Sequence, residues 1–167
     1  MELWDLYTAG RQKTGETHVR GVPLPPGRYH VVVHVWIRRR DGLWLISQRA
    51  ATRPTFPLMW ECTGGAVTAG ETSLQAAVRE AMEEVGVQLD PASGRLVSSA
   101  IREKYRNFRD VWVFPYDGPL DLSAATTDEV ADMHWMTAEE IRQLQQQGLW
   151  VENLNYFFTD PELGGSA

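Results

Sequence analysis

The residues best equipped for chemistry are three glutamates on one short stretch, Glu80, Glu83 and Glu84, within "GGAVTAGETSLQAAVREAMEEVGV" (residues 64–87). From Thr72 onward the pattern is helical. Thr72 or Ser73 can cap it, and Leu74, Ala77, Val78, Ala81, Met82 and Val85 recur at three- and four-residue steps as an apolar stripe. At about 100° per residue the three glutamates fall on the opposite side, within about 100° of one another. Like charges at that spacing repel by a few tenths of a kcal/mol, so the cluster is either a solvated face or a cation site. The preceding "TGGAV" favours a cation site, because glycine backbone lets carbonyls approach a ligand. Hard divalent cations want clustered carboxylate and carbonyl oxygens, and Mg²⁺ commonly combines a few carboxylates with substrate phosphates.

The elements that must position this cluster can be read along the chain. Two short strands near 3–7 and 16–20 surround a glycine-punctuated turn and form an N-terminal hairpin. "VPLPPG" is a stiff connector, since each proline fixes φ and lacks an N–H. Two strands follow, "YHVVVHVWI" and "LWLISQR", separated by the turn "RRRDG". The Pro-interrupted "AATRPTFPLMWECTGG" reads as a loop leading into a short strand, then a helix over 72–86 and strands near 94–103 and 109–117. Thr137 caps a further helix, Glu140 completes its capping box, and Gly148 lies just beyond its end. A last short helix is expected near 152–158, and the tail "PELGGSA" (161–167) reads as disordered. With no repeat and no linker, the expectation is one mixed α/β domain over 1–160, the hairpin (about 1–29) integral to it.

At 167 residues the chain can bury a real core, and 43% hydrophobic with 23% charged residues is ordinary for a globular protein. The apolar runs at 31–37 and 111–114 fall well short of the ~20 residues of a membrane span. "MELWDLYTAG" has neither the basic region nor the apolar core of a signal peptide. Cys62 is the only cysteine, which excludes an intrachain disulfide and suits a reducing cytoplasm. A net charge of -6 argues against nucleic-acid polymers and anionic membranes as partners. A phosphorylated small molecule stays open, because a bound metal reverses the local sign.

The spacing of the glutamate stretch is more specific than its charge. Five residues separate Gly65 from Glu71 and seven separate Glu71 from Arg79–Glu80; then come Ala81, Met82, Glu83–Glu84, Val85, Gly86 and Val87. This resembles the Nudix box, Gly-x5-Glu-x7-Arg-Glu-U-x-Glu-Glu-x-Gly-U, with Ala81 a small residue at the first aliphatic (U) position. The resemblance implies a Nudix fold, an α/β/α sandwich with a mixed β-sheet, here preceded by the hairpin. It also implies hydrolysis of a nucleoside diphosphate linked to another moiety. Glu80, Glu83 and Glu84 become metal ligands or base, with the Gly64 carbonyl a further ligand and Mg²⁺ or Mn²⁺ the cofactor. Glu71 and Arg79 then brace the loop, and Gly65 and Gly86 are structural. A later acidic residue before a strand ending in Trp often contributes, and Glu129, six residues before Trp135, resembles it, with Asp128 as its rival. Glu80, Glu84 and Glu129 are thus the candidate catalytic carboxylates. Dimers are common in the family, so a homodimer is among the assemblies implied.

The N-terminal half also resembles the Nudix proteins related to isopentenyl-diphosphate isomerase, through "LWDLYTAGRQKTGETHVRG", "PPGRYHVVVHVWI" and "TFPLMWECTGG". Those isomerases need a catalytic Cys, whose position here is Gly64, and a metal-binding His, whose position is Ala66. The isomerase reading therefore fails on its nucleophile, and a non-catalytic nucleotide-binding or sensor module is the alternative to hydrolysis. His30 and His34 read as structural histidines. Trp36, Trp44, Trp112 and Trp135 read as core, whereas Trp60, Tyr105 and Phe108 could stack a nucleobase. Among the basic residues near the expected cleft (Arg102, Lys104, Arg106 and Arg109 included), Arg49 and Arg53 rank first as phosphate partners.

Overall fold

The computed structural model describes residues 1–165. Strands β1 (Leu3–Tyr7) and β2 (Lys13–Val19) pair antiparallel as a separate two-stranded sheet. A mixed sheet is built from β3 (His30–Arg38), β4 (Trp44–Arg49), β5 (Trp60–Glu61), β6 (Thr63–Ala66), β7 (Arg95–Arg102), β8 (Asn107–Pro115) and β9 (Val130–Met136). Helices α1 (Ser73–Val85) and α2 (Ala138–Gln146) and 3₁₀ segments at Pro91–Ser93, Leu122–Ala124 and Glu152–Phe158 complete the described fold. Among the described residues no helix is long and apolar enough to cross a membrane.

The centre of the sheet is β3, parallel to β8, which continues antiparallel into β7. β4 pairs antiparallel with β9. β3 and β4 are in register only at Arg38 and Trp44, beside their turn, and splay beyond it. The chain from Trp60 to Ala66 fills the wedge: β5 pairs with β4, β6 with β3, and Cys62 sits at the break. The single short strand expected there is thus two, and the wedge carries Gly64 and Gly65 into the middle of the sheet.

Alternation along β3 decides which layer covers which face. Val31, Val33, Val35 and Ile37 pack with Ala76, Ala77 and Ala81 of α1. Trp36 points the other way, into a cluster with Trp44, Ile46, Val111, Ile141 of α2 and Phe157 of the 3₁₀ segment. Trp36 stacks on Phe157 with ring centroids 4.8 Å apart and meets Trp44 edge-on at 6.1 Å, both favoured aromatic geometries. The result is an α/β/α sandwich. Both helices begin with capping boxes, Thr72 with Gln75 and Thr137 with Glu140.

The last short helix falls at Glu152–Phe158, as expected, and is 3₁₀. One expectation needs correction. The tail expected to be disordered is folded through residue 165: Leu163 is buried in the second cluster and the Gly164 N–H donates to the Phe157 carbonyl at 3.0 Å. Its glycine-rich composition disguised one apolar anchor, and Gly164 is what lets the turn lie on the Phe157 ring. Residues 166–167 lie outside the described residues.

Several contacts tie the hairpin to the rest of the fold. Tyr7 and Tyr29 exchange backbone hydrogen bonds at 2.8 and 2.9 Å, and the Ala69 N–H donates to the Leu3 carbonyl at 2.8 Å. Arg11 grips the buried Asp110 of β8 with both terminal nitrogens at 2.6 Å. Burial pushes the Asp110 carboxyl up, but the hydrogen bonds from Arg11, Ser73 and Ser99 outweigh it and hold the group below the usual carboxylate range. Arg11→Met should therefore cost roughly 3–5 kcal/mol in urea denaturation by stranding a buried charge. The double variant Arg11→Met/Asp110→Asn should recover part of that. A single-variant loss below about 1 kcal/mol would mark the pair as an ordinary surface contact.

Candidate active site

The site begins with how closely α1 approaches the sheet. Ala76, Ala77 and Ala81 are fully buried, and where α1 crosses β6 it meets Gly65, which holds no side chain to keep it off. A Cβ on Gly65 would collide with the Glu80 carboxylate, and one on Gly64 with the Val33 carbonyl. This close crossing goes against the alternative of a solvated face and bears on the cation-site expectation instead. Glu80 and Glu84 are buried, at 8% and 6% exposure, on the same face as the alanines, and only Glu83 is left half-buried at the edge.

Arg79 gathers the carboxylates. Its Nε and Nη2 donate to the two oxygens of Glu71 at 2.7 and 2.9 Å, and its Nη1 donates to Glu80 and Glu83 at 3.0 Å each. Nη2 also reaches the Ala66 carbonyl at 3.1 Å, and Glu71 in turn accepts from the Thr68 N–H. Glu84 accepts from the Thr63 hydroxyl at 2.6 Å and the Gly64 N–H at 3.0 Å. A second segment closes the group. Gly86 ends α1 at φ 68°, and its bare α-carbon lets residues 121–125 pass within reach. The Thr126 and Thr127 N–H groups then donate to the Glu83 carbonyl at 3.0 and 3.1 Å. Glu129 follows into the same lobe, whereas the exposed Asp128 does not line it.

This lobe, of about 200 Å³, is lined by Glu80, Glu83, Glu84 and Glu129 with Arg79, Arg53 and Arg20 at its margins. Burial raises the Glu80 carboxyl to about 7, partly offset by Arg79 and reinforced by Glu83 and Glu129. Glu84 is raised as well, by burial first and then by Glu61 and Glu80, against the Thr63 hydrogen bond. Among the described residues no three acidic, His or Cys side chains converge as a ready cage for an ion. Each carboxylate is instead turned toward a protein partner: Glu80 and Glu83 toward Arg79, Glu84 toward Thr63, Glu129 toward Arg53 at 2.8 Å. The donor set is nonetheless all oxygen and carries more negative charge than Arg79 offsets, which fits a hard divalent cation.

Arg20, Arg53, Gly64 and Gly65 also line a larger lobe of about 370 Å³, so the two form one cleft. Its walls include Trp4, His30, His34, Phe56, Arg102 and Asn153. Trp4 lies flat on His30, centroids 3.9 Å apart. Burial, then Arg102 and Arg20, pushes the His30 pKa down to about 4, so the ring is neutral. His34, similarly lowered to about 3, shares a hydrogen bond with the Tyr156 hydroxyl at 2.8 Å.

The other expected contacts divide. Arg53 stands where the lobes meet, but Arg49 is occupied by Glu61 at 2.7 Å and by Thr55. Trp60 does not line the cleft; it packs beside His134 and the second cluster. Phe108 is core, and Tyr105 is exposed, its hydroxyl 3.3 Å from Asn153. Cys62 is buried, and burial pushes its thiol well above the usual value, which disfavours a thiolate nucleophile. Sequence reasoning missed Trp4 and Arg20. Nothing local marks them, because the long-range ties of the hairpin bring them to the cleft.

The NUDIX domain family profile matches residues 28–156. An uncharacterised Nudix hydrolase of Listeria monocytogenes is 38% identical over 159 residues, covering 95% of this chain and 91% of that protein. A crystal structure from Deinococcus radiodurans superposes with a TM-score of 0.73 at 26% identity, over 90% of this chain and 92% of that one. A Francisella tularensis bifunctional NMN adenylyltransferase/ADP ribose pyrophosphatase, crystallised with AMP and manganese, is similar in fold, with a TM-score of 0.61 at 22% identity over 83% of this chain and 42% of that one.

The raised carboxyls set a pH dependence. The folded protein keeps protons on Glu80 and Glu84 that the unfolded chain releases near the ordinary value of 4.5. The stabilisation they give is full below that value and is lost as pH rises through about 7 and beyond. Thermal unfolding in chelator, from roughly pH 5 to 8.5, should show Tm falling with pH, and Glu80→Gln/Glu84→Gln should flatten the slope. A wild-type Tm that rises across this range would contradict the assignment.

Proposed function

The chain belongs to the Nudix hydrolase family, enzymes acting on phosphoric anhydride bonds, and on that premise we propose that it hydrolyses a nucleoside diphosphate linked to another moiety with a divalent metal. The observation that supports this most is the grouping of Glu80, Glu83, Glu84 and Glu129 in one lobe that opens, past Arg20 and Arg53, onto a second lobe large enough for an organic group. In this reading Glu80, Glu83, Glu84 and the Gly64 carbonyl hold Mg²⁺ or Mn²⁺. When bound, the metal would neutralise the anhydride oxygens and lower the pKa of the attacking water.

The chain's own groups do the remaining work. Glu80, Glu84 and Glu129 are the candidate bases for the water's proton. Arg79 and Glu71 orient the carboxylates without meeting the substrate. Arg53 can exchange Glu129 for a phosphate oxygen, which would free Glu129 to face the water. Arg49, tied to Glu61 and Thr55, holds the loop that carries Arg53.

Mass-spectrometric turnover of a panel tests this: nucleotide sugars, ADP-ribose, dinucleoside polyphosphates, nucleoside triphosphates, coenzyme A and isopentenyl diphosphate, with Mg²⁺ or Mn²⁺. Cleavage at a diphosphate is expected, reduced about 10²- to 10⁴-fold in Glu84→Gln. Nucleotide binding without turnover by metal-loaded protein would favour the non-catalytic module. A Glu84→Gln variant as fast as wild type would remove that residue from the chemistry.

A further inference from the structure

The larger lobe carries positive charge that the protein leaves uncompensated. Arg20 is paired with Glu2, Arg49 with Glu61 and Arg53 with Glu129. Among the described residues, Arg102 and Arg109 have no carboxylate partner, although the chain holds 22 acidic residues against 16 lysines and arginines. Arg102 donates through Nε to Asn107 at 2.9 Å, and the Nε of Arg109 is buried without a partner.

The register places the two arginines together. Across β7 and β8, Arg102 opposes Asn107 and Ala100 opposes Arg109, so the arginines are diagonal neighbours on one face, about 7–8 Å apart at the backbone. Across β3 and β8, Arg109 lies beside Val32, which lines the lobe, as does Arg102 itself. Burial and then the repulsion of Arg109 hold the Arg102 guanidinium below its ordinary pKa. Both guanidinium groups lie on tyrosines, Arg102 over Tyr105 at 4.8 Å and Arg109 over Tyr156 at 4.1 Å. Stacking fixes the plane and leaves the edge N–H donors available for a bidentate oxyanion.

We propose that Arg102, in the wall of the larger lobe, and Arg109, just behind that wall beside Val32, form an anion subsite away from the glutamate cluster, receiving a phosphate or carboxylate carried by the part of the substrate that is not hydrolysed. The identity of that substrate rests on the hydrolase reading; the subsite itself does not. It explains why cations are held close without acidic partners in a protein of net charge -6.

Metal-free protein titrated with inorganic phosphate, followed by NMR of the arginine Nε–Hε resonances, tests the subsite without turnover. Both resonances should shift saturably, and affinity should fall at least about tenfold in Arg102→Gln and in Arg109→Gln, as expected for losing a charge-assisted hydrogen bond. Amide spectra of the variants report whether the fold survives. Matched diphosphates then identify the anion: UDP-glucuronate against UDP-glucose for a carboxylate, NADPH against NADH for a phosphate. In one pair the anionic member should have the higher kcat/KM, and the ratio should collapse toward one in the double variant. If nothing is hydrolysed but phosphate shifts both arginines, the hydrolase reading fails and the subsite stands. Hydrolysis with ratios unchanged in the double variant, or phosphate that moves neither resonance, overturns the subsite.

Discussion

One guanidinium set among carboxylates governs this structure. Arg79 contacts Glu71, Glu80 and Glu83 and the Ala66 carbonyl, so a single positive charge faces three acidic groups while Glu84 lies buried alongside. Arginine does not give up its proton, and burial, reinforced by neighbouring carboxylates, raises the Glu80 and Glu84 carboxyls so that they tend to hold protons. A hard divalent cation would bring further positive charge to the same oxygens and displace those protons. Arg79 is therefore a brace that tolerates the cluster without satisfying it.

The brace works only because the surrounding backbone can come close. The splay of β3 from β4 makes room for Trp60 to Ala66, Gly64 fits that segment against β3, Gly65 lets α1 cross it, and alanines on α1 remove the remaining bulk. Gly86 does the same at the helix end, where residues 121–125 pack against its α-carbon and guide Glu129 inward. Small residues at each crossing thus convert a surface helix into the wall of a cleft. The hairpin then supplies the opposite margin through Trp4 and Arg20, and Arg11 secures it to β8.

Much of this was legible in the sequence wherever the signal was local. The capping residues Thr72 and Thr137, the alternation on β3 and the spacing from Gly65 to Val87 each encode their own geometry over a few residues. Side-chain burial within the box was not legible, because a helical wheel sets Glu80 and Glu84 beside the margin of the apolar stripe and says nothing of a glycine strand crossing them. Trp60 looked like a ligand platform from its position beside the glycines, but pairing of β5 with β4 turns it toward His134. Composition likewise mistook the C-terminal turn for a free end, since one buried leucine outweighs its glycines. Trp4, Arg20 and the Arg102–Arg109 pair depend on strand register and docking, which act over distances that no local pattern records.

The most direct test of the account is calorimetric titration of the metal-free protein with Mn²⁺ at pH 7, in two buffers of different ionisation enthalpy. If Glu80 and Glu84 hold protons until a cation arrives, binding should release about one proton per metal, seen as a buffer-dependent heat. Glu80→Gln/Glu84→Gln should lose both the binding and the proton release. Metal binding with identical heats in the two buffers, or binding that survives the double substitution, would contradict a cation site built on these buried carboxylates.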